Sequence, residues 1–389
     1  MKQIFSISLA NVAASLHYYL LAYILSAYLG QFLPDAQVGL VFSVSAALMI
    51  LGFMAGPYVL TRLSVRRVSF LLACADLATL LVLAANPSPS VAIALVALQG
   101  ALAPLISYTL DLFVENATRN EGYTGHMRGL FLTSGNVALV AAPLLYGVIL
   151  GTTDDYARIF VATALALVVF MIIITTRKRF LADEQITHAA SLFATLRCLL
   201  KDRSIRSVLI ANTMLQCFYI WAPVYVPLYL HNVLGYSWDA LGPVFALMLL
   251  PFLLIELPMG FLEDTFRGAR MVMASGFVIS GLSLAAFALV GAGTALSTIA
   301  IILVLTRVGA ALIEITAETT FFREVGGEDA ESVSFFRMTR PLGMLLGPLV
   351  GSLFLLALPL AYVFLPLGAL MFLAIPFALR IKNGYSASA

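Results

Sequence analysis

All but two of the 22 Lys and Arg residues in this 389-residue chain fall in alternate breaks between long apolar runs; the exceptions are Arg158 and Arg307. The basic breaks hold Lys2, then Arg62, Arg66 and Arg67, then Arg119 and Arg128, then a cluster from Arg177 to Arg206. Beyond it come Arg267 and Arg270, then Arg323, Arg337 and Arg340, then Arg380 and Lys382. The breaks between them, such as Asn86 to Ser90 and Gly291 to Thr294, carry no positive charge. Loops rich in Lys and Arg stay on the cytoplasmic side of a membrane. The alternation therefore predicts an even number of spans, with both termini in the cytoplasm and the chain in the cell membrane.

A chain that is 61% hydrophobic and 11% charged, with mean hydropathy +1.00, has too little polar surface to coat a soluble domain of this size. The net charge of +2 sums nearly equal numbers of opposite sign and gives no basis for binding nucleic acid. Cys74, Cys198 and Cys217 are scattered without metal-ligand spacing and read as small buried residues. No nucleotide-binding loop, histidine pair or nucleophile constellation appears, so neither an enzyme nor a bound cofactor is expected.

A span needs about 20 mostly apolar residues to cross about 30 Å of hydrocarbon. Runs of that kind lie near 4–32, 38–60, 68–86, 90–117, 127–150 and 156–176, and again near 206–232, 238–260, 270–291, 295–322, 335–357 and 361–380. The first run is too long for a signal-peptide core and has no small-residue cleavage site, so it reads as a retained span. Barrel strands are half this length, which leaves helices. The expected fold is an all-α membrane protein with twelve transmembrane helices as two pseudo-symmetric six-helix bundles. The bundles are residues 1–176 and 206–389, joined by a basic cytoplasmic linker, 177–205. Its stretch from Ser191 to Leu200 is amphipathic and expected to lie at the membrane surface.

The halves echo each other. Leu9-Ala10-Asn11 matches Ile210-Ala211-Asn212 at a spacing of 201, and so do Tyr18 with Tyr219 and Tyr28 with Tyr229. Gly39 and Gly242 lie 203 apart, and Gly56 and Gly260 lie 204 apart. Matches in one order at nearly one spacing point to a duplicated bundle, a known plan for secondary transporters.

Charged motifs near the cytoplasmic helix ends resemble those of the major facilitator superfamily. Gly260-Phe261-Leu262-Glu263-Asp264, followed by Gly268-Ala269-Arg270, resembles that family's Gly-x-Leu-x-Asp-x-x-Gly-x-Arg loop with one added residue. The loop after span two, Gly56 to Arg67, keeps the glycine and the basic end but has Leu60 or Thr61 at the acidic position. Glu115 with Arg128-Gly129 is similar to the family's Glu…Arg-Gly element, and Glu324 and Arg337 repeat that separation of 13. The resemblance spans the whole chain and implies alternating access between two rocking bundles. It makes Asp111, Glu115, Arg128, Asp264, Arg270, Glu324 and Arg337 candidates for a cytoplasmic gate. Ala142-Pro143 in span five and Gly347-Pro348 in span eleven permit bending and close helix contact. Where the family's antiporter motif has Gly-Pro in span five, this chain has Ala142-Pro143.

Ionisable side chains deep in a span cost about 2.5–3.5 kcal/mol each on insertion scales, so they imply a protein or water lining. Here they are His17, Asp76, Asp111, Glu256, Arg307, Glu314 and Glu318. At 100° per residue, Arg307, Glu314 and Glu318 share one face of span ten. Glu256 lies about 24 Å and Glu314 about 27 Å from the external side. With spans eight and ten adjacent, as the resemblance implies, the two carboxylates favour one shared proton while Arg307 favours ionisation. Glu256, Arg307 and Glu314 are therefore the proton-coupling candidates. Spans one and seven, central in the family, supply Asn11, His17, Tyr18, Asn212, Gln216, Tyr219 and Trp221 as cavity candidates. Rings with a few amides suit flat or amphipathic organic solutes. His17 also reads as a packed histidine, Asp76 as a structural hydrogen-bonding residue, and Tyr28 and Tyr229 as interfacial belt residues.

The expected protein is a monomeric secondary transporter whose partners are a small-molecule substrate, protons and the lipid bilayer. Efflux of an amphipathic compound by proton exchange leads. A proton-coupled symporter for a sugar-like nutrient and a non-transporting sensor or lipid-handling protein stand beside it.

Overall fold

The computed structural model describes residues 2–118, 124–177, 201–262, 268–325 and 335–381, with side chains throughout except at 2–4, 116–118, 124–129, 253 and 255–262. The linker stretch 178–200 and Asp264 lie outside the described residues, as do the side chains of Arg128 and Glu256. Every regular element described is helical, as hydrocarbon demands of a backbone that must satisfy its own hydrogen bonds. By length and composition ten of the described helices are able to cross a membrane, and two shorter apolar stretches, Leu130–Leu144 and Trp238–Phe252, fall where spans five and eight are predicted. Large apolar side chains such as Met54, Leu289 and Leu356 remain exposed, which suits a lipid solvent.

The chain divides into two compact units. The first comprises residues 1–34, 44–189 and 230–246. It contains α1 (Lys2–Ala22), α2 (Leu25–Leu29), most of α3 (Asp35–Leu60), α4 (Val65–Ala84), α5 (Pro89–Thr118), α6 (Thr124–Leu144), α7 (Tyr146–Ile149) and α8 (Tyr156–Thr176). Within it α1 packs on α5, α6 and α8, and α4 packs on α5 and α8. Pro143 removes an amide donor near the point where α6 gives way to α7.

The second unit comprises residues 35–43, 190–229 and 247–389. Its helices are α9 (Arg203–Pro227), the rest of α10 (Trp238–Leu262), α11 (Ala269–Phe287), α12 (Leu296–Val325), α13 (Thr339–Leu355), α14 (Leu360–Leu373) and α15 (Ile375–Ala378). Asp202 caps α9 by accepting from the amides of Ser204 and Ile205 at 2.7 and 3.2 Å. After Pro227 the helix widens into a π-turn, Leu228–Val233, because proline has no N–H to keep the regular ladder. Here α9 packs on α12 and α13, and α11 packs on α12 and α14.

The unit boundaries exchange the first turns of α3 and α10, and two repeated glycines show why. In the second unit a Cβ on Gly39 would sit 2.9 Å from the Pro348 carbonyl oxygen. In the first, a Cβ on Gly242 would sit 2.5 Å from the Pro143 carbonyl oxygen. Each glycine thus seats one helix against the carbonyl of the corresponding proline.

The repeated tyrosines are not belt residues. Tyr28 and Tyr229 are 3% exposed. Tyr28 stands edge-on to Phe160 at 5.1 Å, and Tyr229 packs on Phe364 at 5.8 Å while donating to the Val290 carbonyl at 2.5 Å. Each is buried within its own unit, which removes it from the lipid interface.

His231 in the first unit makes two contacts that a neutral ring cannot satisfy together. Nδ1 lies 2.7 Å from the Tyr236 carbonyl and Nε2 lies 2.9 Å from Oδ1 of Asp154. The ring also stacks on Trp238 at 4.2 Å. Both oxygens accept, and a neutral imidazole has one N–H, so the cluster needs one further proton on the ring or on Asp154.

Candidate functional site

The polar stripe of span ten meets span seven. In the second unit, Tyr219 on α9 donates its hydroxyl to Oε2 of Glu314 on α12 at 2.5 Å. Two turns away on the same face of α12, Arg307 is 2% exposed. Its guanidinium lies over three rings: Phe218 at 5.4 Å, Tyr219 at 5.7 Å and Phe252 at 5.9 Å. Tyr219 therefore touches both ionic groups, its hydroxyl on the carboxylate and its ring under the cation. The Nε of Arg307 has no hydrogen-bond partner among the described residues. Desolvated cation–π contacts reach about 2 kcal/mol or more, which offsets part of the burial penalty of the charge.

Arg340 on α13 and Arg307 are the cations whose fields reach Glu314. Sequence reasoning counted Arg340 only as a topological charge, and it passed over Phe218 and Phe252. Phe252 carried a usable signal, since it lies one helical turn before Glu256 and so shares its face.

Several cavity candidates turn inward instead. Asn11 donates to the Phe131 carbonyl at 2.9 Å and to the Ser134 hydroxyl at 3.0 Å, fixing α1 to α6. In the other unit, Asn212 donates to the Thr339 hydroxyl at 2.8 Å, fixing α9 to α13. Ser134 in turn donates to the Phe131 carbonyl at 2.6 Å, and Thr339 donates to the Phe336 carbonyl at 2.6 Å. The duplicated asparagine is thus a pin between the same pair of helices in each repeat. Trp221 is 1% exposed and donates to the Gly347 carbonyl at 2.7 Å. His17 is 1% exposed beside Asp76. These four side chains are buried within their units. Tyr18, Gln216, Tyr219 and Glu314 remain half-buried and reachable.

A buried pin has a measurable consequence. Asn212→Leu removes a buried hydrogen bond while the Thr339 hydroxyl keeps its bond to the Phe336 carbonyl, so a loss of about 1 kcal/mol is expected as a lower thermal midpoint. Asn11→Leu should behave alike, because its surroundings repeat. An unchanged midpoint in both would show the pins to be idle.

Of the gate candidates, Glu324 accepts from the Ser204 hydroxyl at 2.6 Å, tying the end of α12 to the start of α9. Asp111, Glu115 and Arg337 are exposed, and Arg270 is half-buried. No group of His, Cys, Asp and Glu able to hold a metal ion occurs among the described residues.

Apolar helices of this length around a buried ionic stripe define a multi-pass membrane transporter fold. A sequence profile of the Major Facilitator Superfamily matches residues 7–255. The chain belongs to the major facilitator superfamily, and with that it is a transporter rather than an enzyme. No match is found among curated protein sequences. Among solved structures, the POT family transporter PepTSo aligns with a TM-score of 0.78 at 13% identity over 97% of both chains. A POT family transporter bound to 5-aminolevulinic acid aligns at 0.78 with 12% identity, over 97% of this chain and 95% of that one. The nucleoside transporter NupG aligns at 0.77 with 14% identity, over 98% of this chain and all of the other. At such identities these likenesses concern the fold.

Proposed function

We propose that this protein is a proton-coupled secondary transporter that exports a small amphipathic organic solute in exchange for protons. It works in the cell membrane as a monomer of twelve spans in two six-helix bundles, with both termini cytoplasmic. The observation that carries the reading is Tyr219 bridging Glu314 and Arg307 in an aromatic setting inside the second unit. A single reachable carboxylate can hold a proton or a cationic solute, but not both, and that competition is the essence of exchange. Glu256 lies one turn from Phe252, whose ring faces Arg307, which makes it the natural second carboxylate. The charges of Asp111, Glu115, Arg128, Asp264, Arg270, Glu324 and Arg337 bias the two end states at the cytoplasmic helix ends. Each exposed pair is worth only about 0–1 kcal/mol, so they act together.

The free Nε of Arg307 favours a second reading. A solute carboxylate bound there while Glu314 is protonated would travel with the proton, as symport. Proteoliposomes with an entrapped pH dye separate the two. A panel of a lipophilic cation, a dipeptide, a nucleoside and a sugar is added outside. Exchange makes the lumen more alkaline as solute enters, and symport makes it more acid. Glu314→Gln is expected to abolish the response. Identical proton movement in wild type, Glu314→Gln and Glu256→Gln would end the coupling assignment.

A further inference from the structure

We propose that His17 and Asp76 form a second proton-binding site, inside the first unit and separate from the carboxylate on α12. Nε2 of His17 lies 2.8 Å from Oδ2 of Asp76, and the side chains are 1% and 0% exposed. The contact is close without being aligned as a hydrogen bond, and none of the four polar atoms has a hydrogen-bond partner among the described residues. At 1.5 Å per residue, His17 lies about 22 Å along α1 from Lys2, and Asp76 about 17 Å along α4 from Val65. Both are therefore well inside their spans.

The rest of the unit places other charge elsewhere. On α4 itself, Arg66 and Arg67 stand in the first turn, and Cys74 is half-buried and free. On α5, the Tyr108 ring lies against Phe53 at 5.4 Å, while Asp111 and Glu115 are exposed toward the helix end. On α8, Arg158 pairs with Asp155 at 2.9 Å in the first turn, and the Tyr156 ring is taken by Tyr28 and Trp238. On α1, Tyr18 and Tyr19 pack on each other and Tyr23 stacks on Phe245. On α6, His126 and Arg128 belong to the first two turns, and their side chains lie outside those described. His17 and Asp76 are thus each other's ionic partner.

With one titratable proton between them, the pair is neutral overall. Losing it leaves a bare carboxylate in a dry interior, and gaining a second leaves a bare imidazolium; both states are strongly disfavoured. The proton stays on the ring, the more basic group. A purely structural link between α1 and α4 would be made as well by apolar residues without desolvating two charges. An ionisable pair at this depth instead marks a place where a proton is kept and passed on. The unpartnered Nδ1 and Oδ1 offer a donor and an acceptor to a water that would carry it.

This site stands whether or not Glu314 couples transport. The test uses full-length protein labelled with ¹⁵N-histidine in lipid nanodiscs, with protons as the ligand. His17→Gln identifies the His17 signal among the four histidines. In wild type the His17 ring is expected to be imidazolium at neutral pH. Asp76→Asn should leave the ring neutral there, and Asp76→Glu should restore the imidazolium. By infrared, His17→Gln should gain a protonated-carboxyl band at neutral pH, which remains readable should Asp76→Asn fail to fold. Glu314→Gln should leave the His17 titration unchanged, so the two sites are judged separately. A His17 ring that is neutral throughout in wild type, or indifferent to Asp76→Asn, overturns the proposal. So does the absence of the new band in His17→Gln.

Discussion

Gly309→Val is expected to lower the thermal midpoint of the purified protein by roughly 6–12 °C, taking about 3 kcal/mol for overpacking and 2–4 °C per kcal/mol. A Cβ at Gly309 would stand 2.6 Å from the Gly276 carbonyl oxygen and 2.7 Å from the Ser280 amide nitrogen. Both obstacles are backbone, which has no rotamer to escape into. The approach is mutual, since a Cβ at Gly276 would stand 2.7 Å from the Gly309 carbonyl oxygen. In a bilayer apolar burial gives helices no reason to associate, so close backbone contact supplies much of the packing energy. Ser280 uses the same proximity to donate to the Thr306 carbonyl at 3.2 Å. Gly291→Ala is the control, because nothing lies within 4 Å of its Cβ position. A thermal shift assay in detergent should find it neutral. If Gly309→Val shifts the midpoint no more than Gly291→Ala, α11 and α12 are not held by this crossing.

The membrane class and its transporter character were legible because their signals are one-dimensional. Run length and the alternation of basic breaks need no knowledge of neighbours. The repeated residues were also visible, Asn11 with Asn212 and Gly39 with Gly242. What these residues do was hidden, because it depends on which helix lies beside which. Helices apolar on every side carry almost no periodic mark of the face that turns inward. Asn11 therefore looked available to a solute, whereas it holds α1 to α6 through Ser134. His17 read as a packed histidine with no partner named, because Asp76 is distant in sequence and on another helix. The stripe on span ten fared better, since Arg307 and Glu314 lie on one element and helical geometry alone aligns them. The ring that joins them, Tyr219, was a candidate for the cavity with no partner attached to it.

The same stripe gives the sharpest separation of function from packing. Methionine has nearly the reach of arginine and no charge. Arg307→Met should therefore change the thermal midpoint little, because a buried carboxylate left without its counter-charge takes up a proton rather than stay ionised. Phe218, Tyr219 and Phe252 lose a cation–π partner but keep a polarisable neighbour of similar bulk. Solute-driven proton movement in proteoliposomes should nonetheless fall about 100-fold, or about 2.7 kcal/mol at 1.36 kcal/mol per tenfold. Without the cation, Glu314 retains the Tyr219 hydrogen bond and the more exposed Arg340, and its carboxylate form loses its buried counter-charge. Arg307→Lys should fall between, since an ammonium keeps the charge and loses the planar stacking surface. If Arg307→Met moves protons at the wild-type rate, the arginine serves packing alone and coupling must reside elsewhere. If flux and thermal midpoint fall together, a collapsed bundle explains both, and Arg307→Lys, which retains the charge, then decides whether a folded protein still moves protons.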